Sequence, residues 1–294
     1  MPHVAPAAFL DELQTKGNQT RSLPEGVRFR EDVVFGRGGE VELKLDLFER
    51  EAAPGRPRPA IVFIHGGGWQ NGDKKQFFAQ AAYLAWKHDF LAASIRYRLT
   101  DVAPFPACLQ DAKCAVRWVR AHAGEWKLDP ERIAVSGGSA GGHLTAMVAL
   151  TPGHAELEGD GGSPGVSSHA NAAIPFNGVM DLYGRALTQG ARGPVLKLLG
   201  GQVQEMPERY KLASPLQHVT RSAPPMLLLH GDKDETVPHK QSIDMKARYD
   251  EVGAHAELEI YPGVPHGWFN AAPHFWTTLQ RMEKFLVERF ALQA

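Results

Sequence analysis

"RIAVSGGSAGGHLTAMVAL" (132–150) is the stretch from which the rest of the chain can be read. An apolar run through Ile133, Ala134 and Val135 meets four glycines gathered around one serine, and apolar residues resume at Leu144. Glycine destabilises the interior of a strand or helix by about 0.5–1 kcal/mol, so this density marks a place where backbone must approach backbone. Gly137-Gly138-Ser139-Ala140-Gly141 fits G-x-S-x-G, a strand-to-helix elbow that holds its serine in a strained conformation with the hydroxyl projecting above a sheet. Side chains two residues to either side would strike the adjoining strand and helix, which accounts for glycine at 137 and 141. A helix opening at Ser139 also aims its positive end at negative charge developing there. The plainer alternative is a capping serine in an ordinary turn. The apolar strand before it and the helix after it favour a nucleophile.

A serine hydroxyl attacks poorly unless a base takes its proton and a third group orients that base. On such an elbow the acid follows the serine in the chain and the histidine comes last. "LLLHGDKDETVP" (227–238) ends one strand and offers Asp232, Asp234 and Glu235; "IYPGVPHGW" (260–268) follows the next strand and offers His266. Of 13 histidines, His266 stands in a loop after the last strand, between Pro265 and Gly267, whereas His255 opens a strand and His239 and His274 fall in first turns of helices. Asp234 is preferred as the acid because it lies far enough past Gly231 to turn back toward the histidine. Asp232 suits a bond to the turn's own backbone.

The tetrahedral intermediate of acyl transfer carries an oxyanion, and each donor aimed at it contributes about 2.7–4 kcal/mol. "HGGGW" (65–69) directly follows the strand "AIVFI", where successive glycines let N–H groups approach a ligand unobstructed. Gly67 and Gly68 are expected to share the oxyanion with the Ala140 N–H. Trp69 and Trp268 flank these loops and are candidates to line the substrate pocket, as is Phe269. Arg96 and Arg98 read as strand-end charges tying down a neighbouring loop, and His143 as structural.

Outward from the elbow, short apolar runs alternate with helical patterns. Strands are read at 41–48, 60–66, 90–97, 132–138, 172–178, 225–232 and 256–263, the first alternating with period two and therefore half exposed and antiparallel. Helices are read at 74–88, 105–122, 139–150, 238–252 and 273–290. This order argues for an α/β fold with a mostly parallel sheet and helices on both faces. Residues 151–169 read as a long surface loop and 184–215 as a small helical insertion, a lid or cap, within a single domain spanning 1–294.

The bulk numbers narrow the class. Lys and Arg total 32 against 33 acidic residues with no basic stretch, which argues against a nucleic-acid partner. No run of about 18 apolar residues occurs and the N-terminus lacks an export signal, so a soluble chain is expected, in the cytoplasm or outside once a leader is removed. Cys108 and Cys114 fall on one helix at about 9 Å separation, beyond the roughly 7 Å limit for a disulfide.

Taken together, HGGGW, "YRL" (97–99), "APFPA" (103–107), "DPERIAVSGGSAGGHL" (129–144), "HGDKDETVP" and "PHGW" resemble the α/β-hydrolase superfamily, specifically its hormone-sensitive-lipase-like and BD-FAE-like esterases. The likeness covers about residues 30 to 290. It implies an eight-stranded sheet, a Ser139-Asp234-His266 triad, no metal or other cofactor, and ester hydrolysis. Lipase-like relatives usually carry an acid where Gly138 stands, whereas "GGSAGGHL" with "LEGDGG" is more similar to the BD-FAE branch, many of whose members deacylate plant polysaccharides. The first 30 residues lack the long cap helices of the lipase-like branch, which implies a smaller lid. The expected activity is a serine carboxylesterase acting on short acyl esters, including acetyl or feruloyl esters of carbohydrate. An amidase, arylformamidase or peptidase with the same triad, and a non-catalytic binding protein, are the alternatives.

Overall fold

In the computed structural model, residues 1–184 and 188–292 are described. Strands β1 Val27–Gly38 and β2 Val41–Arg50 form an antiparallel pair, followed by β3 Arg58–Ile64, β4 Leu91–Ile95, β5 Leu128–Gly138, β6 Ala172–Phe176, β7 Met226–Gly231 and β8 Ala256–Tyr261. Together they make one sheet in the order β8-β7-β6-β5-β3-β4-β2-β1, parallel from β8 to β4. The helices are α1 Pro6–Lys16, α2 Phe78–His88, α3 Ala107–Ala121, α4 Ala140–Leu150, α5 Gln189–Leu199, α6 Pro207–Leu212, α7 Lys240–Val252 and α8 His274–Arg289, besides a single turn at Ala155–Glu158. This is the α/β-hydrolase fold.

β3 is buried along its whole length because its successive side chains serve two cores. Ile61 and Phe63 join Phe9, Phe78 and Phe285 beneath α1, α2 and α8, while Val62 and Ile64 join Leu109, Leu144 and Met245 beneath α3, α4 and α7. Period-two alternation therefore shows as an unbroken apolar run, as expected of a strand covered on both faces.

Two expectations are corrected at the antiparallel edge. β1 is missing from the sequence reading because its register against β2 slips twice, between Arg30 and Val33 and between Val34 and Gly36, so no steady alternation survives to be read. β2 is not half exposed. Asp46, on what reads as its polar face, is 1% exposed, because Lys74 in the turn before α2 covers it with an ion pair of 2.6 Å. The loop 151–169 lies over β1 and α3, pinned where Glu158 accepts from buried Lys113 at 2.9 Å and Arg117 at 3.0 Å. Cys108 and Cys114 are both buried and free. The proposed insertion at 184–215 contains α5 and α6; its residues 185–187 lie outside the described residues. Among the described residues no helix is long and apolar enough to cross a membrane.

The chain reverses from β5 into α4 under tight steric limits. A Cβ at Gly137 would stand 2.4 Å from the Ile64 carbonyl oxygen, and one at Gly141 would stand 2.1 Å from the same atom. Both obstacles are backbone, so no side-chain rotation relieves them. Gly141→Ala is accordingly expected to destabilise by about 3 kcal/mol or more. Gly124→Ala, whose Cβ would meet nothing within 4 Å, should unfold at the parent temperature; the two transitions compared by calorimetry test this.

Candidate active site

At the crossing from β5 to α4, Ser139 has φ 57° and ψ −118°, a region that costs a non-glycine residue energy and persists only where the surroundings enforce it. Here its N–H donates to the Phe176 carbonyl at the end of β6, 2.9 Å away. Its hydroxyl stands at the floor of a cavity of about 320 Å³. A larger open depression of about 620 Å³ between Phe105, Arg209 and His218 is lined, among the described residues, by no Ser, Thr or Cys.

His266 arrives on the turn after β8. Its Nε2 lies 2.9 Å from Ser139 Oγ and its Nδ1 lies 2.6 Å from Asp234 Oδ2. Asp234 Oδ1 accepts from the Thr236 and Val237 amides at 2.9 and 2.8 Å. Those two bonds lock the turn after β7 and leave Oδ2 facing the histidine. Asp232 instead accepts from the Gly263 amide at 2.7 Å, tying its turn to the one that carries His266. Glu235 is exposed.

Sequence reading misses a second imidazole on the same carboxylate. His230, fully buried on β7, accepts at Nδ1 from the Ser242 hydroxyl at 2.7 Å and lies through Nε2 2.8 Å from the Val237 carbonyl and 3.2 Å from Asp234 Oδ2. With two acceptors beside it, Nε2 carries the proton. The one signal in the sequence is a histidine inside an otherwise apolar central strand. Burial alone would raise the Asp234 pKa, but hydrogen bonds from His230 and His266 outweigh it and hold the carboxyl down at about 2.

The glycine loop runs from the end of β3 to the same cavity, where Gly67 and Gly68 both line the wall at φ of 116° and 60°. Ala140 follows the serine as the first residue of α4. The loop is held at two points. Gln76 Oε1 accepts the Gly66 N–H at 2.6 Å, and the Trp69 indole donates to His143 Nδ1 at 3.3 Å. His143 Nε2 in turn meets the Ala213 carbonyl at 2.7 Å, and burial pushes its pKa down to about 4, so the ring stays neutral and able to accept. Trp69 touches the cavity but is 2% exposed. Arg98 binds Asp111 through two nitrogens, closing the strand-end loop.

Trp268 is corrected: it is absent from the cavity wall among the described residues. The short turn Trp268–Asn270 sends this indole against Tyr261, with ring centroids 5.4 Å apart, and turns the next residue, Phe269, inward. A Cβ at Gly138 would stand 2.4 Å from the Phe269 ring. An aromatic ring thus fills the space that an acidic residue beside the serine would need. The far wall comes from α5 and its neighbours, through Ala191, Pro194, Val179 and Val237. Asn177, also unread in the sequence, lies against His266. Among the described residues no group of three His, Cys, Asp or Glu side chains is arranged to hold a metal ion.

Known proteins resemble this chain in sequence and in fold. Esterase LipQ of Mycobacterium tuberculosis is 33% identical over 252 residues, which cover 82% of this chain and 58% of LipQ. The chain spans 56% to 62% of the length of LipQ and of two further curated relatives from that organism. A thermophilic esterase from Thermogutta terrifontis, solved with propionate bound, superposes with a TM-score of 0.77 at 35% identity, covering 92% of this chain and 97% of that one. A truncated carbohydrate esterase from gut microbiota gives 0.75 at 29% identity, covering 89% and 96%. The family model described as BD-FAE matches residues 45–249. The chain belongs to the BD-FAE family of the α/β-hydrolase superfamily.

Proposed function

We propose that this chain is a serine carboxylesterase for short acyl esters, with Ser139, His266 and Asp234 as its catalytic triad and the insertion 184–215 as the lid of a single domain. The observation that carries the reading is the unbroken run of hydrogen bonds from Ser139 Oγ through both ring nitrogens of His266 to Asp234 Oδ2, at 2.9 and 2.6 Å, opening onto a cavity. Ser139 Oγ attacks the ester carbonyl while His266 Nε2 takes its proton. Asp234 holds the ring in the tautomer that leaves Nε2 free to accept, and balances the imidazolium that forms. The amides of Gly67, Gly68 and Ala140 receive the oxyanion. His266 then returns the proton to the departing alcohol oxygen, and a water activated by the same nitrogen cleaves the acyl-enzyme.

The esterase names of the relatives support the reaction class. Short acyl groups are favoured by the volume of about 320 Å³ and by the blunt wall of Val179, Ala191 and Pro194. The likeness to a carbohydrate esterase, together with the polar side chains of Gln76 and Asn270 on the opposite rim, supports an alcohol portion rich in hydroxyls.

Ser139→Ala is expected to lower kcat for p-nitrophenyl acetate by about ten-thousand-fold or more and to abolish labelling by a fluorophosphonate; retained turnover would mean the nucleophile lies elsewhere. Across a p-nitrophenyl ester series, kcat/KM should be highest for acetyl to butyryl and fall steeply by octanoyl, and a rise with chain length would contradict the closed wall. Asp234 supplies a pH test. Its folded-state pKa is depressed from 3.8 to about 2, so the unfolded chain binds the extra proton. The contribution is complete above pH 4 and lost as pH falls through 2. It amounts to about 2 kcal/mol. Urea unfolding from pH 5 to pH 2 should show the parent losing more stability than Asp234→Asn; parallel losses would refute the pairing.

A further inference from the structure

Asn177, immediately after β6, is fully buried, lines the cavity beside the serine, and has φ 36°, which is unusual for a residue with a side chain. Its Nδ2 lies 3.1 Å from His266 Nδ1 and 3.2 Å from His266 Nε2. A donor in the ring plane reaches one nitrogen or the other. A group this near both must lie over the ring face, since in the plane it would overrun the carbon between them. The in-plane positions are already taken by Asp234 Oδ2 and Ser139 Oγ. The other end of the amide, Oδ1, is buried without a hydrogen-bond partner among the described residues. A strained backbone, full burial and an unpaired acceptor together work against stability, and such features gather where function requires them.

We propose that Asn177 is a positioning residue for His266: its amide NH2, held against the ring face, keeps the imidazole neutral and upright between Asp234 and Ser139 in the resting enzyme. The proposal rests on the triad reading above. A donor facing the ring favours its neutral form over the cation. Once Ser139 has passed its proton to Nε2, a half-turn of the amide brings Oδ1 to the imidazolium without a change of shape, because the two ends of the group are nearly the same size. Either orientation leaves one end unpaired, so neither is locked. The titratable groups facing the ring are Asp234 from the turn after β7, with His230 of β7 behind it, and the Ser139 hydroxyl from the elbow. The side of β6 brings the neutral amide, and the turn after His266 brings neutral Phe269 and Asn270; among the described residues the cavity wall holds no Lys, Arg, Asp or Glu.

The test uses two replacements that tolerate positive φ. In Asn177→Asp a carboxylate, ionised opposite the imidazolium, replaces the donor, and the acid limb of kcat/KM for p-nitrophenyl acetate should move up by about one pH unit. Activity above the limb should return to within about tenfold of the parent. In Asn177→Gly, kcat should fall about tenfold with KM nearly unchanged, since the ring loses its face contact. An acid limb in Asn177→Asp at the parent pH, or a parent kcat in Asn177→Gly, overturns the proposal. Neutron diffraction of the unmutated protein at pH 8 reads it without a variant: amide deuterons on the ring face support it, and the oxygen there refutes it. Failure of the triad is distinguishable, because a parent enzyme that resists fluorophosphonate at Ser139 or shows no acid limb indicts the relay itself. A labelled parent with an unmoved limb in Asn177→Asp indicts Asn177 alone.

Discussion

The contact on which this molecule depends is one between main chains. The carbonyl of Ile64, last residue of β3, lies so close to Gly137 and Gly141 that neither position admits a methyl group. A Cβ at Gly66 would likewise stand 2.7 Å from the Gly138 carbonyl oxygen. Through these approaches the end of β3, which starts the glycine loop, and the start of α4, which carries the serine, share a single junction. The proposed nucleophile and oxyanion donors therefore take their spacing from rigid backbone, with Gln76 and the Trp69–His143 contact bracing the glycine loop. That is the kind of preorganisation that electrostatic stabilisation of a transition state needs.

The acid side of the site is built differently, by satisfying a buried charge. A carboxylate removed from water without partners would be neutralised or expelled. Asp234 is surrounded instead by two amides, the histidine it is proposed to orient and a second histidine behind it. Each bond stabilises the ionised form and also fixes one oxygen, so the interactions that keep the charge in place also aim it. His143 plays a parallel part on the opposite side, where burial keeps its ring neutral and lets it accept from Trp69 while donating to the Ala213 carbonyl.

The central strands and their covering helices are legible in the sequence because these strands serve two cores, and a strand covered on both faces is apolar along most of its length. The elbow is legible because only glycine survives a carbonyl oxygen at 2.1 Å. The antiparallel edge is not, since two slips of register erase the alternation of β1 and a lysine from a distant turn buries Asp46. Of the aromatic candidates Trp69, Trp268 and Phe269, the sequence could not separate the last two, because a short turn, rather than any local preference, decides which of them faces inward.

The sequence by itself determined the order of the parallel strands and the helices between them, the elbow, the glycine loop and the candidacy of Ser139, Asp234 and His266, because each of these is a local demand of backbone sterics or of chemistry on a residue type. Only the tertiary structure decided that those three side chains meet. It alone set His230 behind the carboxylate and Asn177 over the imidazole, and left the Trp268 indole packed in the core. These relations hold between residues separated by up to 127 positions, and they depend on how β5, β6, β7 and β8 lie side by side, which no local pattern records.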